Sequence, residues 1–211
     1  MLRLAPGKAC SIISCSLHRI NIDELSAEDS YGRRRYHALS YTWGTASPKF
    51  PILCNGKIVE VTRNLYEALL YLQQRKIGEI WIDAVCIDQS NIDERNAQIQ
   101  HMTEIYRNTK VLIWLGAGSK AIDNAFDILD HIHNRITIFD KKADEKLILG
   151  LEDTAQEPLA ELPNRPWFRR VWIIQEAMVA KSAVVYCGKR AHIWVAYDDA
   201  SKGIQSLGPS F

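Results

Sequence analysis

The chain has no apolar run approaching the length of a bilayer span, so no transmembrane helix is expected within its 211 residues. The opening Met1-Leu-Arg-Leu-Ala-Pro-Gly-Lys8 lacks the apolar stretch of a secretory signal, which leaves the cytoplasm as the expected location. Excess charge of either sign is missing too. The net charge is +1, and this argues against nucleic acid or an anionic membrane as a partner. No Cys-x-x-Cys pair exists, so no zinc site is expected. The five cysteines (Cys10, Cys15, Cys54, Cys86, Cys187) are odd in number and three lie in apolar strand-like runs, the pattern of buried free thiols in a reducing compartment. Internal repeats, a Gly-x-Ser-x-Gly elbow, a Walker loop and a His-Glu-x-x-His helix are all absent. His131 and His133 are two apart on a helix and share no face.

What is present is an alternation of strands and helices. Apolar segments at 11–17, 37–43, 79–87, 110–115 and 183–187 read as strands. Periodic segments at about 63–75, 92–108 and 120–134 read as helices, with Ile99, Met102, Ile105 and Tyr106 buried on the second and Ala125, Ile128, Leu129 and Ile132 on the third. The Asn55-Gly56 pair between two short apolar runs predicts a hairpin at 51–62. Residues 79–87 are apolar on both alternating faces, as a central strand covered by helices on both sides would be. The expected fold is α/β: an open, mostly parallel sheet flanked by helices, with a β-hairpin insertion. Residues 1–35 read as an N-terminal strand and loop extension, 137–163 as a charged surface excursion, and 198–211 as a polar tail.

One carboxylate stands out. In the run Val171-Trp-Ile-Ile-Gln-Glu-Ala-Met-Val-Ala180 only Gln175 and Glu176 are polar. On a helix the neighbours of Glu176 are Trp172, Ile173, Val179 and Ala180, none of which is cationic. A helix apolar nearly all round is buried, and an ionised carboxylate there needs specific compensation. Glu176 is therefore paired with a cation from elsewhere in the fold or retained for chemistry.

Ligands of open α/β sheets bind beyond the carboxyl ends of the strands. Three clusters fall there: Tyr41-Thr42-Trp43-Gly44, Asp88-Gln89-Ser90-Asn91 and Gly116-Ala117-Gly118-Ser119. Each has a plainer explanation. Asn91 and Glu94 fit an N-cap and N3 pair, the Gly-Ala-Gly reads more readily as a turn than as a phosphate cradle, and Tyr41 and Trp43 serve equally as core aromatics. Asp83 sits mid-strand in a segment with no exposed face, so a buried ion pair with Arg169 or Arg170 is expected, leaving the other arginine for a ligand phosphate or carboxylate.

Taken together, Tyr36-His-Ala-Leu-Ser-Tyr-Thr-Trp-Gly44, Trp81-Ile-Asp-Ala-Val-Cys-Ile-Asp-Gln89 and Pro166-Trp-Phe-Arg-Arg-Val-Trp-Ile-Ile-Gln-Glu176 resemble the HET (heterokaryon incompatibility) domain of filamentous fungi. Gln98-x-x-x-Met102-x-x-Ile105-Tyr106 and Trp114-Leu-Gly116 lie between them, and the likeness spans about residues 36–188. It implies a HET domain over 36–197 and a death effector of non-self recognition. HET domains are in turn similar to TIR domains, which implies a TIR-like, flavodoxin-like sheet. Ser40-Tyr41 sits where TIR domains end their first strand, and Trp172-Ile-Ile-Gln-Glu176 has the spacing of the Trp-x-x-x-Glu of NAD-cleaving TIR domains.

The resemblance implies Glu176 as the catalytic residue. Tyr41, Trp43, Gly44, Asp83, Asp88, Gln89, Arg169, Arg170 and Trp172 are the candidate substrate-binding residues. No metal and no permanently bound cofactor is implied. NAD or a related nucleotide is the implied substrate, and self-association or an upstream or downstream activator the implied trigger. The alternative is a non-enzymatic module that acts by recruiting partners, with Glu176 a structural carboxylate paired to Arg169 or Arg170.

Overall fold

The computed structural model describes residues 1–7, 12–21, 36–138, 159–180 and 182–194. The tail from 198, most of the loop at 21–35 and the middle of the 137–163 excursion lie outside them.

Among the described residues, nine strands form one sheet: β1 (Leu2–Leu4), β2 (Ser14–Leu17), β3 (His37–Tyr41), β4 (Lys49–Cys54), β5 (Lys57–Thr62), β6 (Glu79–Trp81), β7 (Lys110–Trp114), β8 (Ser182–Cys187) and β9 (Arg190–Trp194). Their spatial order is β5-β4-β2-β1-β6-β3-β7-β8-β9. Helices α1 (Arg63–Gln74), α2 (Asp83–Cys86), α3 (Ile92–Arg107) and α4 (Lys120–Ile138) connect them. The sheet is mixed, with the parallel centre that was expected. The central β6, β3, β7 and β8 are parallel, but β1 pairs antiparallel with both β2 and β6, and hairpins close both edges. The three-residue β1 and the polar β9 carry too weak a pattern to stand out in the sequence. The hairpin β4–β5 turns at Asn55 and Gly56, both in the left-handed region, as an Asn-Gly turn requires.

Both faces of the parallel centre are covered. Val111, Ile113 and Leu115 pack with Met102, Ile105, Tyr106, Ile122 and Phe126 on one face. Leu112 and Trp114 pack with Leu65, Ala68, Leu69 and Leu72 of α1 on the other. This alternation follows from the two-residue period of a strand. Cys15, Cys54 and Cys187 are buried free thiols, and burial pushes Cys15 up to about 12 and Cys187 to about 11. On α4 the buried stripe is Ile122, Ala125 and Phe126, while Ile128 and Leu129 are only half-buried.

This topology opens a crevice. After β3 the chain runs to the edge hairpin β4–β5 and then to α1, which covers one face; after the neighbouring β6 it enters α2 and then α3, which covers the other. Loops that part to opposite faces at adjacent parallel strands make a ligand-sized gap at the strands' carboxyl ends.

Candidate functional site

Three elements converge on that gap. The strand β6 ends at Trp81, and Asp83 starts the short α2 instead of continuing a long strand. Asp83 therefore stands at the strand's carboxyl end, half-buried. Its carboxylate accepts from the Trp43 indole N–H at 2.9 Å and from the Ala84 amide at 2.7 Å. The Gln89 amide donates to the Asp83 carbonyl at 2.9 Å and ties down the following loop. The expected pairing of Asp83 with an arginine is not formed: Asp83 faces an aromatic N–H, and the arginine is committed elsewhere.

The segment from Pro166 to Ala180 is not one continuous α-helix. A 3₁₀ turn spans Pro166–Arg169, and a π-helical turn spans Ile174–Met178. The break explains why helix arithmetic misses the partner of Glu176. Arg170 lies six residues back, beyond reach on a regular helix, yet its Nη1 donates to Glu176 Oε2 at 2.8 Å and its Nη2 to Oε1 at 2.7 Å. The Ser40 hydroxyl also donates to Oε2, and the Trp167 indole N–H donates to Ser40 Oγ at 2.7 Å. Ser40 and Trp167 are wholly buried, and Glu176 is 1% exposed. Short π turns inside helical segments occur often at functional sites.

Glu176 is clamped, but a cavity adjoins it. About 250 Å³ of space is lined by Trp43, Asp83, Gln89, Arg170, Trp172 and Glu176, closed on the α3 side by Arg95, Ile99 and Met102. A carboxylate offers about four acceptor positions. Arg170 and Ser40 occupy three, so one on Oε1 is left. Trp43 and Trp172 line the cavity while 44% and 45% exposed, an unusual position for large aromatics unless a surface needs flat walls. The apolar surroundings act on the charges. Burial is the main cause raising the Asp83 carboxyl above its ordinary range, against the lowering effect of its hydrogen bonds to Trp43 and Ala84. Burial, then the Asp83 charge, pushes the Tyr41 hydroxyl well above the usual phenol range.

Of the ten residues singled out from the sequence, Trp43, Asp83, Gln89, Arg170, Trp172 and Glu176 line the cavity. Tyr41 is buried in the core on the α1 face. Gly44 turns the chain after β3 in the left-handed region. Asp88 is exposed and closes on the Ser90 amide and hydroxyl at 3.0 and 2.6 Å, which holds its carboxyl below the usual range. Arg169 is exposed and lies outside the lining. Asn91 caps α3 by accepting from the Glu94 amide at 3.1 Å. The Gly116–Ser119 cluster forms no cradle. Gly118 is packed against Gly188 so closely that a Cβ on Gly188 would meet the Gly118 amide nitrogen at 2.6 Å.

Four contributors escaped the sequence reading. Ser40 and Trp167 act through tertiary contacts that no spacing announces. Asn64 donates to the Thr42 carbonyl at 2.6 Å and accepts from Trp114 at 3.0 Å, bracing the loop that carries Trp43. Arg95 did leave a signal: with Ile99 and Met102 it forms an i, i+4, i+7 stripe, which faces the cavity. Ile99, expected to be buried, is 37% exposed at the cavity rim.

Comparison with known proteins agrees with the motifs. The family model described as Heterokaryon incompatibility protein (HET) matches residues 36–176. Heterokaryon incompatibility protein 6, OR allele, of Neurospora crassa is 25% identical over 198 aligned residues, covering 72% of this chain and 28% of that protein. The chain thus spans little more than a quarter of that relative's length. No solved structure matches. The matched family region ends on Glu176, and every cavity-lining residue falls within it.

Proposed function

The chain belongs to the heterokaryon incompatibility (HET) family, and from that premise we propose that it acts in fungal non-self recognition as a cytoplasmic cell-death effector that cleaves the nicotinamide–ribose bond of NAD or a related nucleotide when clustered. The observation that carries this reading is a single one: a fully buried glutamate in the wall of a cavity flanked by two half-exposed tryptophans. The order of the parallel centre supports a TIR-like, flavodoxin-like relationship, since the first of these strands has the second on one side and the third and fourth on the other. Among the described residues no helix is long and apolar enough to cross a membrane.

The chemistry asks little of the protein. Nicotinamide leaves NAD as a neutral molecule, so no general acid has to protonate it, unlike the leaving group of an ordinary glycoside. The positive charge that grows on the ribose needs an anion and hydrogen bonds to the sugar hydroxyls in a site where water is scarce. Glu176 supplies the anion, held in one orientation by Arg170 and Ser40. The open position on Oε1 and the Asp83 carboxyl supply acceptors for ribose hydroxyls. Trp43, fixed by its bond to Asp83, and Trp172 offer faces for a planar ring. A water molecule attacks the anomeric carbon and its second proton passes to solvent. The cavity is below the roughly 300–1,000 Å³ of most ligand pockets, so it suits the nicotinamide–ribose half and leaves the remainder across the rim.

The test is NAD turnover and melting temperature measured on the same samples at high protein concentration. Wild type consumes NAD; Glu176→Gln, which keeps one oxygen for Arg170, loses turnover by about 10²–10³-fold while remaining folded. The Arg170 clamp favours a second reading, in which Glu176 is structural and the domain signals by recruiting partners. Under that reading clustered wild type leaves NAD intact and the variant only melts earlier.

A further inference from the structure

Arg95 has no role in the reading above. It lies on the fourth residue of α3, and its side chain makes no hydrogen bond or ion pair among the described residues. The other cavity arginine is different: both terminal nitrogens of Arg170 are committed to Glu176. Arg95 is thus the uncommitted cation of the lining, and it stands on the α3 side with Ile99 and Met102. Arginine presents its donors in a rigid fork that matches phosphate, and a free fork at the rim of a cavity too small for a dinucleotide is where a phosphate would emerge.

We propose that Arg95 is a specificity-determining residue that binds the phosphate next to the ribose, so that the site takes nucleotides in preference to nucleosides. This deepens the nucleotide-cleavage reading and rests on it. The anion is recognised at the rim, while the ring and sugar enter between Trp43 and Trp172. Asp83 and Glu176 on the inner wall reinforce the polarity, since they repel a phosphate from the interior, where Arg170 is already committed to Glu176, and favour Arg95 at the rim.

The experiment measures binding of nicotinamide mononucleotide and nicotinamide riboside, which differ by one phosphate, to the full chain. The readout is tryptophan fluorescence immediately after mixing, before turnover. Wild type should bind the mononucleotide at least about tenfold more tightly, the effect of a charge-assisted hydrogen bond. Arg95→Ala should remove that preference without altering riboside affinity, and Arg95→Lys should retain part of it. Raising the salt concentration should weaken the mononucleotide alone. Equal binding of the two ligands by wild type, or an unchanged preference in Arg95→Ala, overturns the role of Arg95 and leaves the cleavage reading standing. Failure of wild type to bind either ligand overturns both. Thermal melting of each variant identifies any loss that reflects unfolding, and a preference retained by folded Arg95→Ala counts against the proposal.

Discussion

The molecule builds the same trio of side chains twice, around arginines five residues apart. At the carboxyl end of β7, Ser119 donates to Glu161 at 2.9 Å and Arg165 donates to the same carboxylate oxygen at 2.9 Å. At the end of β3, Ser40 donates to Glu176 and Arg170 grips both of its oxygens. The first trio is a staple. Glu161 is 35% exposed, Ser119 also caps α4 through the Ile122 amide, and Arg165 reaches back to the Ala117 carbonyl at 2.9 Å. Gly118 and Gly188 close the space beside it. The second trio is buried, sits on a π turn, and faces a cavity. An ion pair does not make a site. Burial raises the energetic stakes of the pair, and the adjoining space lets a ligand exploit them.

The comparison breaks most sharply on the arginines. Arg170→Ala leaves the Glu176 carboxylate buried without its partner, and about 3–5 kcal/mol of stability should be lost in denaturant unfolding. Arg165→Ala leaves Glu161 facing water and should cost about 1 kcal/mol. Equal losses would mean that the two trios are energetically alike. The serines sharpen the same contrast at smaller scale. Ser40→Ala orphans the Trp167 indole N–H and one carboxylate bond, at about 2–3 kcal/mol, whereas Ser119→Ala gives up a cap worth about 1 kcal/mol. Trp167→Phe deletes the N–H and also shrinks a fully buried ring, so in thermal melting it should cost more than Ser119→Ala.

The smallest effect concerns pH. Burial holds the Asp83 carboxyl above its ordinary value of 3.8, so the folded protein binds that proton more tightly than the unfolded chain. Stability from this group is greatest below about pH 3.8 and declines as pH rises through the raised folded value, then stays level. Asp83→Asn preserves an acceptor for Trp43 and removes the ionisation. The variant should match wild type near pH 3 and exceed it at pH 7 in chemical denaturation. A variant less stable than wild type at pH 7 would show that the Asp83 charge is compensated after all.

Much of this was legible beforehand where the physics is local. The Asn55-Gly56 hairpin, the helices α1 and α3 and the Asn91 cap follow from turn chemistry, periodicity and capping, which act over a few residues. Glu176 was conspicuous because a carboxylate in an apolar run is anomalous without reference to any fold. Its partner was narrowed only to Arg169 or Arg170, since the i±3 and i±4 rule holds only on a regular helix and the chain breaks between Arg170 and Glu176. Asp83 was misplaced because an unbroken apolar run conceals a strand that ends at Trp81 and a short helix that follows.

The amino-acid sequence alone determined the family, the alternation of strands and helices, and the presence of a carboxylate that the core must accommodate, because motif, periodicity and polarity are properties of neighbours along the chain. Tertiary structure decided which arginine meets that carboxylate, that Ser40 and Trp167 stand behind it, and that Trp43, Arg95 and Trp172 share a cavity with it. These depend on two adjacent strands sending their chains to opposite faces of the sheet, and residues more than a hundred positions apart are brought together only when that crossing is made.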